Sequence, residues 1–169
     1  MDRGLYWVDS GDINKARESV DGTSYYNKKE TEVIIKCLKW IDKKASSKKE
    51  IGIISPYKSQ KNYLLKEMSN IELKNIEVEI NTIDTFQGRE KDIIIMNLVR
   101  NNKNGEFGHV SGDSRVNVAL SRAKELCLVI GNEEFISNNK SRARSLYNLL
   151  KYTKENNMRL SENNFEIQI

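Results

Sequence analysis

The chain has 169 residues, 38% hydrophobic and 31% charged, with 28 Lys and Arg against 24 Asp and Glu for a formal charge of +4. That length suits one domain with a sizeable core, and the composition excludes an intrinsically disordered chain. The mild positive balance permits a nucleic-acid partner without requiring one, and two isolated cysteines, Cys37 and Cys127, exclude a disulfide framework or a zinc cluster.

LYWVD (5–9) reads as a short strand, followed by a polar loop over 10–24. From residue 27 to about 44 the apolar positions Val33, Ile34, Cys37, Leu38 and Ile41 fall at helical spacing. IGIIS (51–55) reads as a buried strand, and Pro56 is placed to start a helix running to Met68. VEINTI (78–83) is a further strand, then comes IDTFQGREKD (83–92), then the apolar run DIIIMNLV (92–99). A polar loop over 100–113 precedes SRVNVALSRAKE (114–125), read as a helix, and LCLVIG (126–131) is the last core strand. SRARSLYNLLKYTKE (141–155) is a basic amphipathic helix, and the tail SENNFEIQI is either a short edge strand or a frayed end.

Continuous apolar strands separated by helices predict a doubly wound α/β domain, with a mostly parallel sheet covered by helices on both faces. The expectation is a single domain over 1–169, its core at about 5–150, with the terminal helix and tail at 141–169. The chain starts directly at a strand, as a domain cut from a longer protein would. No apolar run approaches the ~18 residues of a membrane span, and the start has no signal-peptide core. A cytoplasmic protein with no membrane partner is expected.

Ligands of open parallel sheets collect outside the carboxyl ends of the strands. Three polar groups are expected there: Ser55-Pro56-Tyr57 with Gln60, then Thr82, Asp84, Gln87, Gly88 and Glu90, and finally Arg122. Helix starts after strands offer free N–H groups to phosphate. Gly88 lets a ligand approach the backbone, Glu90 can accept from a ribose hydroxyl, and Arg122 or Arg115 can neutralise phosphate. Taken singly, each has a structural use: Asp84 and Asp92 as caps, Gln87 as a loop hydrogen-bonder, Arg122 as half of an ion pair. GxxxxGK[ST], GxGxxG, GxSxG and HExxH are all missing from the sequence. His109, the sole histidine, sits in a polar loop without neighbouring metal-ligand types, so no metal site is expected.

GTSYYNKKE, IGIISPYKSQKNYL, VEINTIDTFQGREKDIIIMNLVR and RVNVALSRAKELCLVIGN resemble, in order and near their spacing, consecutive late motifs of superfamily 1 helicases. The resemblance is to the branch containing the helicase of nonsense-mediated mRNA decay, senataxin and their bacterial relatives, and covers about 5–150. It implies a three-layer RecA-like domain of the P-loop NTPase type, the second of two. The first, with the Walker A lysine and the magnesium carboxylates, would be the partner domain of the same polypeptide.

Carried over, Arg122 in NVALSRA matches the arginine finger reaching the γ-phosphate. Glu90 in QGRE matches a contact to the nucleotide sugar, with Gln87 and Gly88 beside it. Lys28 falls where relatives often have an arginine on the phosphates, and Arg115 stands alone where they usually have two. Ser55, Tyr57 and Thr82 match contacts to the nucleic-acid backbone. The implied ligands are ATP with Mg2+, the metal held chiefly by the first domain, and single-stranded DNA or RNA. The implied function is the C-terminal motor domain of an ATP-dependent helicase. Two rivals stand beside it: a non-enzymatic nucleic-acid-binding module that keeps the fold, and a Rossmann-like nucleotide-binding domain.

Overall fold

The structure, a computed structural model, describes residues 4–86 and 88–167. In chain order the elements are β1 (Gly4–Asp9), β2 (Ser19–Asp21), β3 (Ser24–Tyr26), α1 (Lys28–Lys44), β4 (Lys49–Ser55), α2 (Lys58–Met68), β5 (Ile76–Thr82) and β6 (Lys91–Asn97). A 3-10 turn (Gly108–Ser111) follows, then α3 (Asp113–Ser121), β7 (Ala123–Gly131), α4 (Glu133–Asn138), α5 (Arg144–Glu155) and β8 (Arg159–Ser161). Six strands form one sheet in the order β5-β4-β6-β7-β1-β8, and each pairing in it is parallel. The RecA-like α/β fold implied by the motifs is the fold observed.

Alternation along the strands divides the core in two. Ile51, Ile53, Ile93, Ile95, Leu126, Leu128 and Ile130 point to the face covered by α1 and α2. Ile54, Ile94, Met96, Cys127 and Val129 point to the face covered by α3, α4 and α5. The period of two along a strand makes that division, and burying each Ile contributes about 1.5–3 kcal/mol. Among the described residues no helix is long and apolar enough to cross a membrane.

β5 and β6 run in the same direction but are joined by the quoted stretch alone, which must return from one edge of the sheet to the other. It does so with a turn at Thr82 to Phe86, where Phe86 N–H faces the carbonyls of Thr82 and Ile83. The Phe86 ring is fully buried and lies on Gly52 in the middle of β4. A β-carbon on Gly52 would stand 2.5 Å from Phe86 Cζ and 2.8 Å from Ile94 Cδ1. Only glycine leaves room for the crossing.

Several expected elements shift. The loop over 10–24 contains the β2–β3 hairpin, turning at Gly22. α2 starts at Lys58, not Pro56, because Tyr57 stays extended (φ −130°, ψ 137°) with its ring turned toward Arg100. The helix expected over 114–125 ends at Ser121, since Ala123 pairs with Lys91 and begins β7. Lys124 and Glu125, expected in that helix, instead reach Asp92 and Lys49 across the strands. α5 begins at Arg144, leaving residues 141–143 outside it. α4 was not expected; Asn132 caps it, accepting from Phe135 N–H at 2.9 Å. An edge strand, β8, does lie beside β1, but it is Arg159–Ser161 and takes in only the first residue of the tail; residues 162–167 continue past it without forming a strand.

Candidate functional site

The polar residues singled out in the sequence fall on both edges of the sheet, not on the carboxyl edge alone. Glu90 directly precedes β6 and Arg122 directly precedes β7, so both lie at the amino edge. The Lys91 N–H donates to the Arg122 carbonyl at 3.0 Å, which sets Glu90 and Arg122 beside each other. Gly88 and Glu90 are exposed, and nothing lies within 4 Å of where a side chain on Gly88 would begin. Gln87 lies outside the described residues.

The other charges at this edge are matched. Arg89 pairs with Glu79, Lys91 with Glu50 at 3.3 Å and Glu79 at 3.4 Å, Lys49 with Glu125 at 2.8 Å, and Lys124 with Asp92 at 3.9 Å. Arg122 differs. It caps the end of α3, is half-buried, and faces no carboxylate among the described residues. Its Nε is buried without a hydrogen-bond partner among them. A buried donor left unmet costs about 1–3 kcal/mol, so the fold holds this guanidinium at a cost its paired neighbours Arg89 and Lys91 do not bear.

Ser55, Tyr57, Thr82, Lys28 and Arg115 lie at the opposite, carboxyl edge. Ser55 pairs in register with Thr82. Ser55 is fully buried, its hydroxyl donating to the Tyr57 carbonyl at 3.4 Å, whereas Thr82 is half-buried with its hydroxyl 3.2 Å from that of Thr85. Tyr57 is buried, and its OH accepts from Arg100 Nη1 at 3.1 Å. Lys28 is exposed at the first position of α1. Arg115 lies near the start of α3, against Pro56, Ile83 and Val110. Strands of seven residues, at about 3.3 Å each, put roughly 20 Å between the edges. The structure therefore does not bring Lys28 and Arg115 together with Glu90 and Arg122.

Sequence reasoning missed a buried polar group behind the carboxyl edge. Asn27, the N-cap of α1, accepts from Glu30 N–H at 3.0 Å and donates to the carbonyls of Ala16 and Val99, each at 2.9 Å. Glu30 is fully buried, and its Oε2 accepts from Val99 N–H at 2.7 Å. Glu30 Oε1 and both amide atoms of Asn97 are buried without partners among the described residues. Burial pushes the Glu30 carboxyl up to about 8, against the opposing pull of the Val99 N–H. A signal existed: Glu30 stands three, four and seven residues before Val33, Ile34 and Cys37, on the apolar stripe of α1.

Comparison with known proteins follows this geometry. A family model described as AAA domain matches residues 2–134. The chain belongs to this family. Its similar relatives include two proteins named as helicases. A regulator of nonsense transcripts 1 homolog of Neurospora crassa is 36% identical over 136 residues, covering 78% of this chain and 12% of that protein. DNA polymerase alpha-associated DNA helicase A of Saccharomyces cerevisiae is 38% identical over 135 residues, 78% of this chain and 20% of that protein. ATP-dependent helicase NAM7 of the same yeast is 33% identical over 139 residues, 80% of this chain and 14% of that protein. The chain thus spans 12–20% of the length of these relatives. The resemblance read from the motifs, to the helicase domain of this branch, holds.

Proposed function

We propose that this chain is the second motor domain of an ATP-dependent superfamily 1 helicase, acting on single-stranded DNA or RNA with a first RecA-like domain of the same polypeptide. The half-buried Arg122, unpaired among the described residues at an edge where Lys49, Arg89, Lys91 and Lys124 all meet carboxylates, carries this reading. ATP is the substrate of the cleft between the two domains. On this side Arg122 meets the γ-phosphate, Glu90 accepts from the sugar, and Gly88 with Gln87 admits the nucleotide to the backbone. The donor set fits: an open glycine, an exposed carboxylate and a guanidinium with an unmet donor suit a polar, anionic ligand. Arg122 supplies planar positive charge where negative charge grows on the transferring phosphoryl group.

The carboxyl edge, with Thr82 at its surface and Ser55 and Tyr57 behind it, takes the single strand through its sugar-phosphate backbone. Lys28 and Arg115 belong with this edge by position, as cations near the strand. Motor action then consists of closing and reopening the amino edge on nucleotide while the carboxyl edge holds the strand.

The test is steady-state ATP hydrolysis. The chain alone has no phosphate-cradling loop in its sequence, so the expected result is no hydrolysis stimulated by single strands. A polypeptide that adds the first domain is expected to show that stimulation. Turnover at the ordinary ~1–10³ s⁻¹ by this chain alone would overturn the reading.

A further inference from the structure

Above the carboxyl edge lies an open cleft of about 550 Å3, large enough for a small ligand. β4 and β6 are neighbours, yet α2, leaving β4, covers one face and α3, leaving β6, covers the other. The crevice outside two such strands is where open α/β sheets take ligands.

The floor is Tyr57, just past β4, and Arg100, just past β6. The charge of Arg100 is met by Glu18 Oε2 at 3.0 Å, with side chains 4% and 7% exposed. Its guanidinium carbon lies 4.1 Å from the Tyr25 ring centre. One residue earlier, Val99 has φ 68°, and Arg100 N–H donates to the Leu98 carbonyl at 2.7 Å. That is a γ-turn in a conformation β-branched residues avoid, held by Glu30 on its N–H and Asn27 on its carbonyl. Strain kept in place beside a ligand crevice marks a position the fold holds against its local preference. The roof comes close because residue 108 is glycine at φ +56°; a β-carbon there would strike Arg100 Nη1 and the Tyr57 hydroxyl.

The cleft presents flat rings and one uncommitted cation. His109 is exposed, its ring centre 5.8 Å from that of Tyr57, and Tyr25 stands edge-on to Tyr57 at 5.2 Å. Arg142 on the rim is exposed and steadied by the carbonyls of Asn104 and Gly105, at 2.6 and 3.1 Å, with no carboxylate partner among the described residues. Rings for stacking beside a cation for phosphate are what an unpaired nucleotide in a strand requires. With Arg100 neutralised by Glu18, the cleft has too little free positive charge for a triphosphate.

We infer that this cleft takes an unpaired base of the single strand against His109 and Tyr25, with the adjoining phosphate on Arg142. The inference rests on the single-strand reading above. Anisotropy titrations of this chain compare a labelled single strand with an equally long strand lacking bases. The base-bearing strand is expected to bind about tenfold tighter. His109→Ala is expected to remove most of that margin while affinity for the abasic strand and the melting temperature stay unchanged. Arg142→Gln is expected to weaken both strands alike and lower the salt slope by about one. No margin in the unaltered chain, or a margin that His109→Ala and Tyr25→Leu leave intact, overturns the cleft. In those cases, binding of both strands that Thr82→Val weakens leaves the backbone reading standing. If neither strand binds, both fall.

Discussion

The main-chain N–H of Lys91 donates to the carbonyl of Arg122, and this bond seats Glu90 beside Arg122 at the start of two neighbouring strands. Because the contact is main chain to main chain, side-chain changes at either residue leave the backbone placement alone. Arg122 can therefore be altered as a chemical group.

In a polypeptide carrying both RecA-like domains, Arg122→Ala is expected to lower kcat by ~10³–10⁵ and leave strand affinity without nucleotide unchanged. Arg122→Lys restores little, since a point charge on a flexible stem does not reproduce the planar fork. Arg144→Ala, an exposed change at the start of α5, is the control. Arg142 is unsuitable because it bonds to Asn104 and Gly105. Measuring kcat with the melting temperature checks this; wild-type hydrolysis by Arg122→Ala removes the finger assignment.

Strand binding by this chain is expected to be weak, indifferent to sequence and steeply dependent on salt. The contacts proposed at Thr82, Lys28 and Arg115 would address phosphates, which carry no base identity. Anisotropy at two salt concentrations with several oligonucleotides checks it. Tight binding to one sequence that survives high salt would favour the non-enzymatic binding module instead.

Gly52→Ala is expected to destabilise the fold by ~1–3 kcal/mol, because its methyl would displace Phe86 and Ile94. Denaturant titration gives the magnitude. Hydrogen exchange is expected to show faster opening at residues 83–86, and an unchanged exchange pattern there would separate Phe86 from the effect.

Glu30 makes stability depend on pH. Its carboxyl is held at about 8 in the fold against an ordinary 4.5, so the folded state binds the proton more tightly. The stabilisation is complete below about 4.5 and is lost as pH rises to about 8, by as much as ~5 kcal/mol. Glu30→Gln keeps the shape without the titration. Denaturant unfolding between these pH values is expected to show wild type losing stability relative to the variant as pH rises. A constant difference would contradict the assignment.

The main strands and helices were legible because β4, β6 and β7 each carry a continuous apolar run, at residues 51–54, 93–96 and 126–130, and α1 keeps helical spacing. The β2–β3 hairpin was not, since SVD and SYY are too short for alternation to show. The site was half legible. Motif spacing names Glu90 and Arg122, but where a residue lies along the strand axis depends on whether it leaves or enters a strand. Glu90 and Arg122 enter; Ser55 and Thr82 leave. Arg100, Glu18 and Val99 carried no local signal, because their partners come from segments distant in sequence.

The return from β5 to β6 also governs alignment. Ile93, Ile94 and Ile95 are identical side chains facing alternate sides, each in an apolar core. A slip by one residue would exchange isoleucine for isoleucine at two of the three places, so side-chain contrast opposes it mainly at the end of the run, where Asp92 would enter the buried place of Ile93. Residues 83–90 reach at most about 27 Å when extended, against the roughly 20 Å they span, and Phe86 fastens their middle to β4. Chain length thus adds, for β6, to what side-chain contrast does alone elsewhere. Shortening this tether by two residues would use nearly all its slack and drag the three isoleucines out of step with their neighbours.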